Sequence, residues 1–297
     1  MKSILNITSG DIAGKSLEKS GILGEVLVWH DILYDGPRNP GWPDEETLHA
    51  RARFLSETTG GGLSYRHVLE TLLDQYAKLE TAKGYENIIL WFDACLFDQS
   101  MLCHILTCMQ HSGQSSAELI CIDAFEGIEP YNGLGQLSPE QLASVYDWRQ
   151  SVTMDQFAFA ESVDRAFTLQ DQNAFLSLSN MTDAPIPWIP AAAARWLREQ
   201  PDSKTGLGRL EKLALAIIRS GEVKPWKIFS AVSLKDTPPQ YWGDITLWAK
   251  INALADRNPP LVRIEGPNPR LPQWEGVADL KLFRVYPCKT NESGSHP

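Results

Sequence analysis

Four short apolar segments, each ending at or beside an aspartate and separated by helical sequence, most constrain what this chain can fold into. They are residues 4–8 before Asp11, Glu25–Trp29 before Asp31, residues 87–92 before Asp93, and Glu118–Ile122 before Asp123. Short apolar runs rich in β-branched and aromatic residues read as buried strands. Strands that alternate with helices are joined by crossovers, which give a mostly parallel sheet. The expectation is an α/β fold: a Rossmann-like sheet with helices on both faces. In open sheets of this kind the ligand crevice lies outside the carboxyl ends of the strands. The four acids are expected to collect there.

Length and composition agree with this reading. The 297 residues are 43% apolar and 22% charged, values of a folded chain of about two domains. No apolar run approaches the roughly 18 residues of a membrane helix, so no membrane partner is expected. The segment Met1-Lys2-Ser3-Ile4-Leu5-Asn6 turns polar too soon for a secretion signal, which points to the cytoplasm. Cys95, Cys103, Cys108, Cys121 and Cys288 form no CxxC pair, and four of them fall in expected strand or helix as small hydrophobes. Charge is uneven. Residues 1–184 hold 11 Lys+Arg and 26 Asp+Glu, 11 − 26 = −15, and residues 185–297 hold 16 and 11, 16 − 11 = +5.

Along the chain, helix is expected at residues 13–20, from an Asp44 cap to 57, at 64–82, and at 98–111, where Asp98 is expected to cap. Gly60-Gly61-Gly62 separates the second helix from the third. The loop Tyr34-Asp35-Gly36-Pro37-Arg38-Asn39-Pro40-Gly41-Trp42-Pro43 follows the second strand and reads as a lid or binding loop. Ser138-Pro139-Glu140-Gln141 has the signature of a capping box. The Pro-rich stretch 181–190 reads as a linker. Beyond it, helices at 191–199, 207–219, 225–232 and Asp244–Asp256 precede strands at 261–265 and 280–286. Helices followed by a two-strand hairpin is the winged-helix order. The expected domains are therefore a Rossmann-like domain over 1–180, a winged-helix-like α+β domain over 181–288, and a disordered tail over 289–297.

Several residues could carry chemistry. Gly10-Asp11-Ile12-Ala13-Gly14-Lys15-Ser16 falls one residue short of the phosphate-loop pattern GxxxxGK[ST], whose leading glycine would stand at Ser9. What remains is a looser anion site made by a helix N-terminus and Lys15, or a plain turn with Gly10 bending the chain and Asp11 capping the helix. Two or three carboxylates in one crevice can hold a divalent cation or make one another better acids. His30 beside Asp31 is an acid–base candidate, although strand alternation turns the two to opposite faces unless the strand has ended. His104, Cys108 and His111 share a helix face away from the stripe Met101, Leu102, Ile105 and Met109. They lack a partner motif for zinc, and a half-exposed flank is expected. Helix Asp244–Asp256 carries one lysine, Lys250, between Asp244 and Asp256. Duplex DNA needs clustered cations, so a docking or oligomerisation module suits this winged-helix-like half better.

In order, Gly10-Asp11, Trp29-His30-Asp31 with Gly36-Pro37, Trp91-Phe92-Asp93 with Phe97-Asp98-Gln99, and Gly133-Leu134-Gly135-Gln136-Leu137 resemble the bacterial domain of unknown function 1835. Ala194-Arg195, Gly206-Leu207 with Glu211, and Gly243-Asp244 resemble the domain of unknown function 3658, which often follows it. The resemblance covers nearly the whole chain. It implies the architecture and brings no reaction with it. It draws attention to Asp11, Asp31 and Asp98. The family pattern has a His-Asp pair where Ala94-Cys95 stand here, which puts a catalytic role for this chain in question.

The resulting expectation is a ligand site at the carboxyl edge of the sheet for a small phosphorylated or nucleotide-like compound. Asp31 and His30 are the candidate catalytic residues. Gly10, Asp11, Lys15, Gly36 and Asp93 are the candidate cofactor-binding residues; Asp11 and Asp31 would be metal or ribose-hydroxyl ligands, with a divalent cation one open choice of cofactor and backbone amides near Gly10 the phosphate cradle. An enzyme of this kind should lose turnover and stay folded in Asp31→Asn. The rival is a regulator without catalysis, a sensor domain joined to a winged helix that contacts a partner protein or DNA.

Overall fold

The structure is a computed structural model that describes residues 2–58, 63–237, 242–272 and 279–288. By compactness the chain divides into a unit of residues 1–55 and 64–197 and a unit of 56–63 and 198–297. The break expected at Gly60-Gly61-Gly62 and the tail 289–297 lie outside the described residues.

The first unit is α/β. Its strands are β1 (Lys2–Ser9), β2 (Glu25–Trp29), β3 (Tyr85–Asp93), β4 (Glu118–Ile122) and β5 (Gln150–Ser151), in the order β2-β1-β3-β4-β5. β1 runs parallel to β2 and β3, β3 runs parallel to β4, and β5 is an antiparallel edge. Ile88 to Phe92 are each at most 1% exposed. Burial on both faces is why β3 reads as an unbroken apolar run, without the alternation of a half-exposed strand. The polar Asn6 in the buried part of β1 is satisfied by Trp91 Nε1 at 3.0 Å and by its own bond to Leu23 O at 3.2 Å.

The helices before the second unit are α1 (Asp11–Lys19), α2 (Glu45–Thr58), α3 (Tyr65–Glu80), α4 (Leu96–His111), α5 (Pro139–Ser144), α6 (Met154–Leu169), α7 (Gln172–Ser179) and α8 (Ile189–Glu199). α8, placed by sequence after the boundary at 180, begins in the first unit. Local chemistry sets several helix starts. Asp44 Oδ1 accepts from Thr47 N at 2.7 Å, Ser64 Oγ accepts from His67 N at 3.2 Å, and Ser138 forms the expected capping box with Gln141.

α4 departs from the sequence reading. Its cap is Cys95, whose sulfur accepts from Asp98 N at 3.5 Å, while the Asp98 side chain turns back toward the sheet. The helix is also buried on every side from Leu96 to Met109 except at Phe97. His104 and Cys108, expected on a half-exposed flank, are therefore interior, and of that trio only His111 reaches solvent. A helix with neighbours all round has no flank to expose.

The second unit contains α9 (Arg209–Arg219), α10 (Pro225–Lys235) and α11 (Asp244–Asp256), followed by β6 (Val262–Glu265) and β7 (Arg284–Pro287), which pair antiparallel. Leu210, Ile218, Val232, Trp248, Ile251, Phe283 and Val285 lie in its core.

Candidate functional site

The chain turns back across β1 between β2 and β3, so the topological switch point lies beside the end of β1. There Ser9 is followed by Gly10 at φ +76, which is the N-cap of α1 and offers no side-chain cap. Asp11 is thus the first helical residue and not the cap. Gly14 and Lys15 fall inside α1, so no phosphate-wrapping loop exists here. Lys15 is exposed on the helix.

Strand β2 ends at Trp29, and the next two residues diverge. His30 is exposed and its Nε2 lies 2.9 Å from Asp11 Oδ1; the two side chains are 45% and 64% exposed. Its backbone N–H donates to Gln75 Oε1 at 3.0 Å. Asp31 turns inward. Its Oδ1 accepts from Ile32 N at 2.6 Å and from the guanidinium of Arg51 on α2. Both side chains of this ion pair are nearly fully buried. Arg51 also donates to the carbonyls of Asp35 at 2.7 Å and Ile32 at 2.9 Å, so it clamps the turn that follows β2. Oδ2 of Asp31 has no partner among the described residues. The Asp31 carboxylate thus holds the turn after β2.

At the end of β3, Asp93 faces the loop before α5. Tyr131 donates to its Oδ1 at 2.7 Å and Leu134 N to its Oδ2 at 2.8 Å. Asp98 receives Ser9 Oγ at 2.7 Å and Asp93 N at 2.6 Å. Burial raises the pKa of Asp93 well above the ordinary carboxyl value, and the charge of Asp98 adds to this. Burial likewise lifts Asp98 to about 6, against the hydrogen bonds from Ser9 and Asp93 N. Two carboxyls in one dry site share protons as a pair.

The four acids expected in one crevice take different partners. Asp11 joins His30 at the surface, Asp31 joins Arg51 inside, Asp93 joins Asp98 and Tyr131, and Asp123 is exposed. Among the described residues no group of three or more His, Cys, Asp or Glu side chains could hold a metal ion. Against known proteins, the chain matches no protein-family model and no curated protein.

The loop after β2 is anchored, not loosely draped. Arg38 Nη1 donates to Asp164 Oδ1 at 2.6 Å, and Gly41 N donates to Oδ2 at 2.8 Å. His104 Nδ1 stands 3.2 Å from the same Oδ1, and Tyr76 OH is 2.7 Å from His104 Nε2. Trp42 Nε1 donates to Cys108 O at 2.8 Å. Burial works to raise the pKa of Asp164, but the charges of His104 and Arg38 and the bonds from His104 and Gly41 N outweigh it, so the carboxyl titrates well below its ordinary range. Gly36 belongs to this packing as well. Its φ is +80, and a Cβ there would stand 2.5 Å from the Phe54 ring. It is a glycine for conformation and space.

Sequence reasoning missed Arg38, Arg51, Tyr76 and Asp164. A usable signal existed for two of them. Arg51 lies in the apolar stripe of Leu48, Ala52 and Leu55, and Asp164 lies in that of Phe157, Ala160 and Phe167. A charge at such a position is buried and must find its opposite.

Proposed function

We propose that the carboxyl edge of the sheet binds a small phosphorylated or nucleotide-like compound at the mouth formed by Gly10, Asp11 and His30. The observation that carries this reading is the solvent-facing His30–Asp11 pair, 2.9 Å apart beside the α1 N-terminus, which has no side-chain cap. The first backbone N–H groups of a helix have no intrahelical acceptor and attract anionic oxygens. Asp11 Oδ1 can only accept, so Nε2 of His30 carries the proton in the pair. Nδ1 is then an acceptor in the neutral ring and a donor in the imidazolium. That suits either a contact to a phosphoryl oxygen or proton transfer to a leaving group. Lys15 adds a cation on the same helix. Asp93 and Asp98 shape the edge from within, and the turn at Asp31 fixes where His30 stands. Membership of the family of the domain of unknown function 1835, with the domain 3658 behind it, is part of the same proposal. It rests on the quoted sequence pieces.

The test is thermal unfolding of the full chain with inorganic phosphate, AMP and ATP in turn. Ligand at about 100 times its Kd stabilises by about 2.7 kcal/mol. The expected result is a raised Tm with at least one probe. His30→Ala and Asp11→Ala should remove that rise and leave the ligand-free Tm nearly unchanged, since both side chains are exposed. No rise with any of the three, or a rise that survives the double substitution, would overturn the proposal. Turnover, if the site also hydrolyses its ligand, is read as phosphate release that falls in His30→Ala.

A further inference from the structure

We infer that the second unit binds single-stranded nucleic acid across an aromatic and basic face formed by the start of α10 and the outer side of β6 and β7. Alternation along β7 sends Val285 into the core and leaves Arg284 and Tyr286 on the outer face. In the register of the hairpin, Arg263 stands opposite Tyr286 and Glu265 opposite Arg284. The Arg263 guanidinium lies 4.9 Å from the centre of the Tyr286 ring. Val285 N donates to Val223 O at 2.9 Å, which ties β7 to the residues that open α10. Trp226 is thereby held beside the hairpin, with Lys224 Nζ 5.7 Å and the Arg284 guanidinium 6.0 Å from its ring centre.

Residues 284 and 286 lie about 7 Å apart on one side of a strand. Rings and cations are therefore neighbours on the face: Trp226 beside Lys224 and Arg284, and Tyr286 beside Arg263, whose charge Glu265 shares. Trp226 is 36% exposed, unlike the buried Trp248 of the same unit. Lys227 and Lys281, both exposed, add to the positive charge. The acids nearest in sequence are already engaged. Glu222 accepts from Val223 N and Lys224 N, Glu265 pairs with Arg263, and Asp279 accepts from Lys281 N.

This arrangement fits single strands better than duplexes. Unstacked bases pack on aromatic rings and on guanidinium planes alike, and cations beside them meet the phosphates, with little dependence on sequence. A duplex read by a helix needs a basic helix. α11 does not offer one. Lys250 is its single cation, and Leu247, Trp248, Ile251, Asn252 and Leu254 are buried. The second unit holds 15 Lys+Arg and 12 Asp+Glu, 15 − 12 = +3, which is of the sign this partner requires.

The experiment is fluorescence anisotropy of a labelled 20-nucleotide oligothymidylate with the full chain at low salt, with a duplex of equal length alongside. Saturable binding is expected, tighter for the single strand and weakening with salt. Trp226→Ala should weaken it about tenfold without lowering Tm. Trp226→Phe should keep most of the affinity. Arg284→Gln should reduce the salt dependence, and Lys250→Gln should change nothing. Absence of saturable binding, equal affinity for the duplex, or unchanged affinity in Trp226→Ala would each overturn the inference.

Discussion

Ser9 at the end of β1 donates its hydroxyl to Asp98 in the first turn of α4 at 2.7 Å, across 89 positions of sequence. Asp98 also holds the N–H of Asp93, so one buried carboxyl joins the ends of the two central strands at the switch point. Its proton inventory follows from that place. Burial lifts Asp98 to about 6 against its hydrogen bonds from Ser9 and Asp93 N.

A raised folded pKa has a definite sign in stability. The contribution is fully present below the unfolded value of about 4 and is lost as pH rises through about 6. Urea unfolding should therefore show Asp98 costing on the order of 3 kcal/mol as pH rises from about 4 to about 7. Asp98→Asn should flatten the curve in that window, because the amide has no charge to gain. A wild-type curve whose slope in that window is identical to that of Asp98→Asn would refute this account of the pair.

Asp164 makes the opposite case. Its folded pKa is depressed, so its contribution is present above the unfolded value and fails only in acid below about pH 4. At neutral pH, Asp164→Ala leaves the Arg38 guanidinium buried without its counter-charge. Removing one partner of a buried pair costs about 3–5 kcal/mol. Arg38→Met in the same chain should recover part of that loss, since the double change removes both charges together. Urea midpoints of the two single variants and the double decide it. A double variant as unstable as the sum of the singles would show that the two charges are uncoupled.

How much of this was legible in the sequence depended on the range of the interaction. The strands Glu25–Trp29 and Glu118–Ile122 and the helix Asp244–Asp256 agree with the sequence to the residue, because apolar runs, caps and breakers are local signals. β5 was missed: two residues carry no period. The acids were located correctly at the strand ends, but their orientation was not legible. Asp31 turns inward because Arg51 waits 20 residues away, and Asp93 because Tyr131 waits 38 residues away. Partner choice over such separations belongs to the packed fold. The adjacent pair His30 and Asp31 shows the limit well: β2 ends at Trp29, so strand alternation does not govern them, and only the fold tells which one meets solvent.

Gly14 gives the sharpest test of packing at the candidate site. It lies inside α1, where glycine normally costs roughly 1 kcal/mol relative to alanine. Gly14→Ala should then stabilise, were propensity the whole account. Here a Cβ at position 14 would stand 2.3 Å from Val28 Cγ2 on β2. Overpacking of a filled contact costs about 1–3 kcal/mol, which exceeds the gain in propensity, so Gly14→Ala is expected to destabilise. The sign should reverse in a Val28→Ala background, where the methyl that blocks the new Cβ is gone and only the helix preference remains. Thermal unfolding of the four chains in this cycle reads the outcome. If Gly14→Ala raised Tm in the Val28 chain, the close approach of α1 to β2 would have to be abandoned, and with it the tight seat that sets Gly10 and Asp11 beside His30.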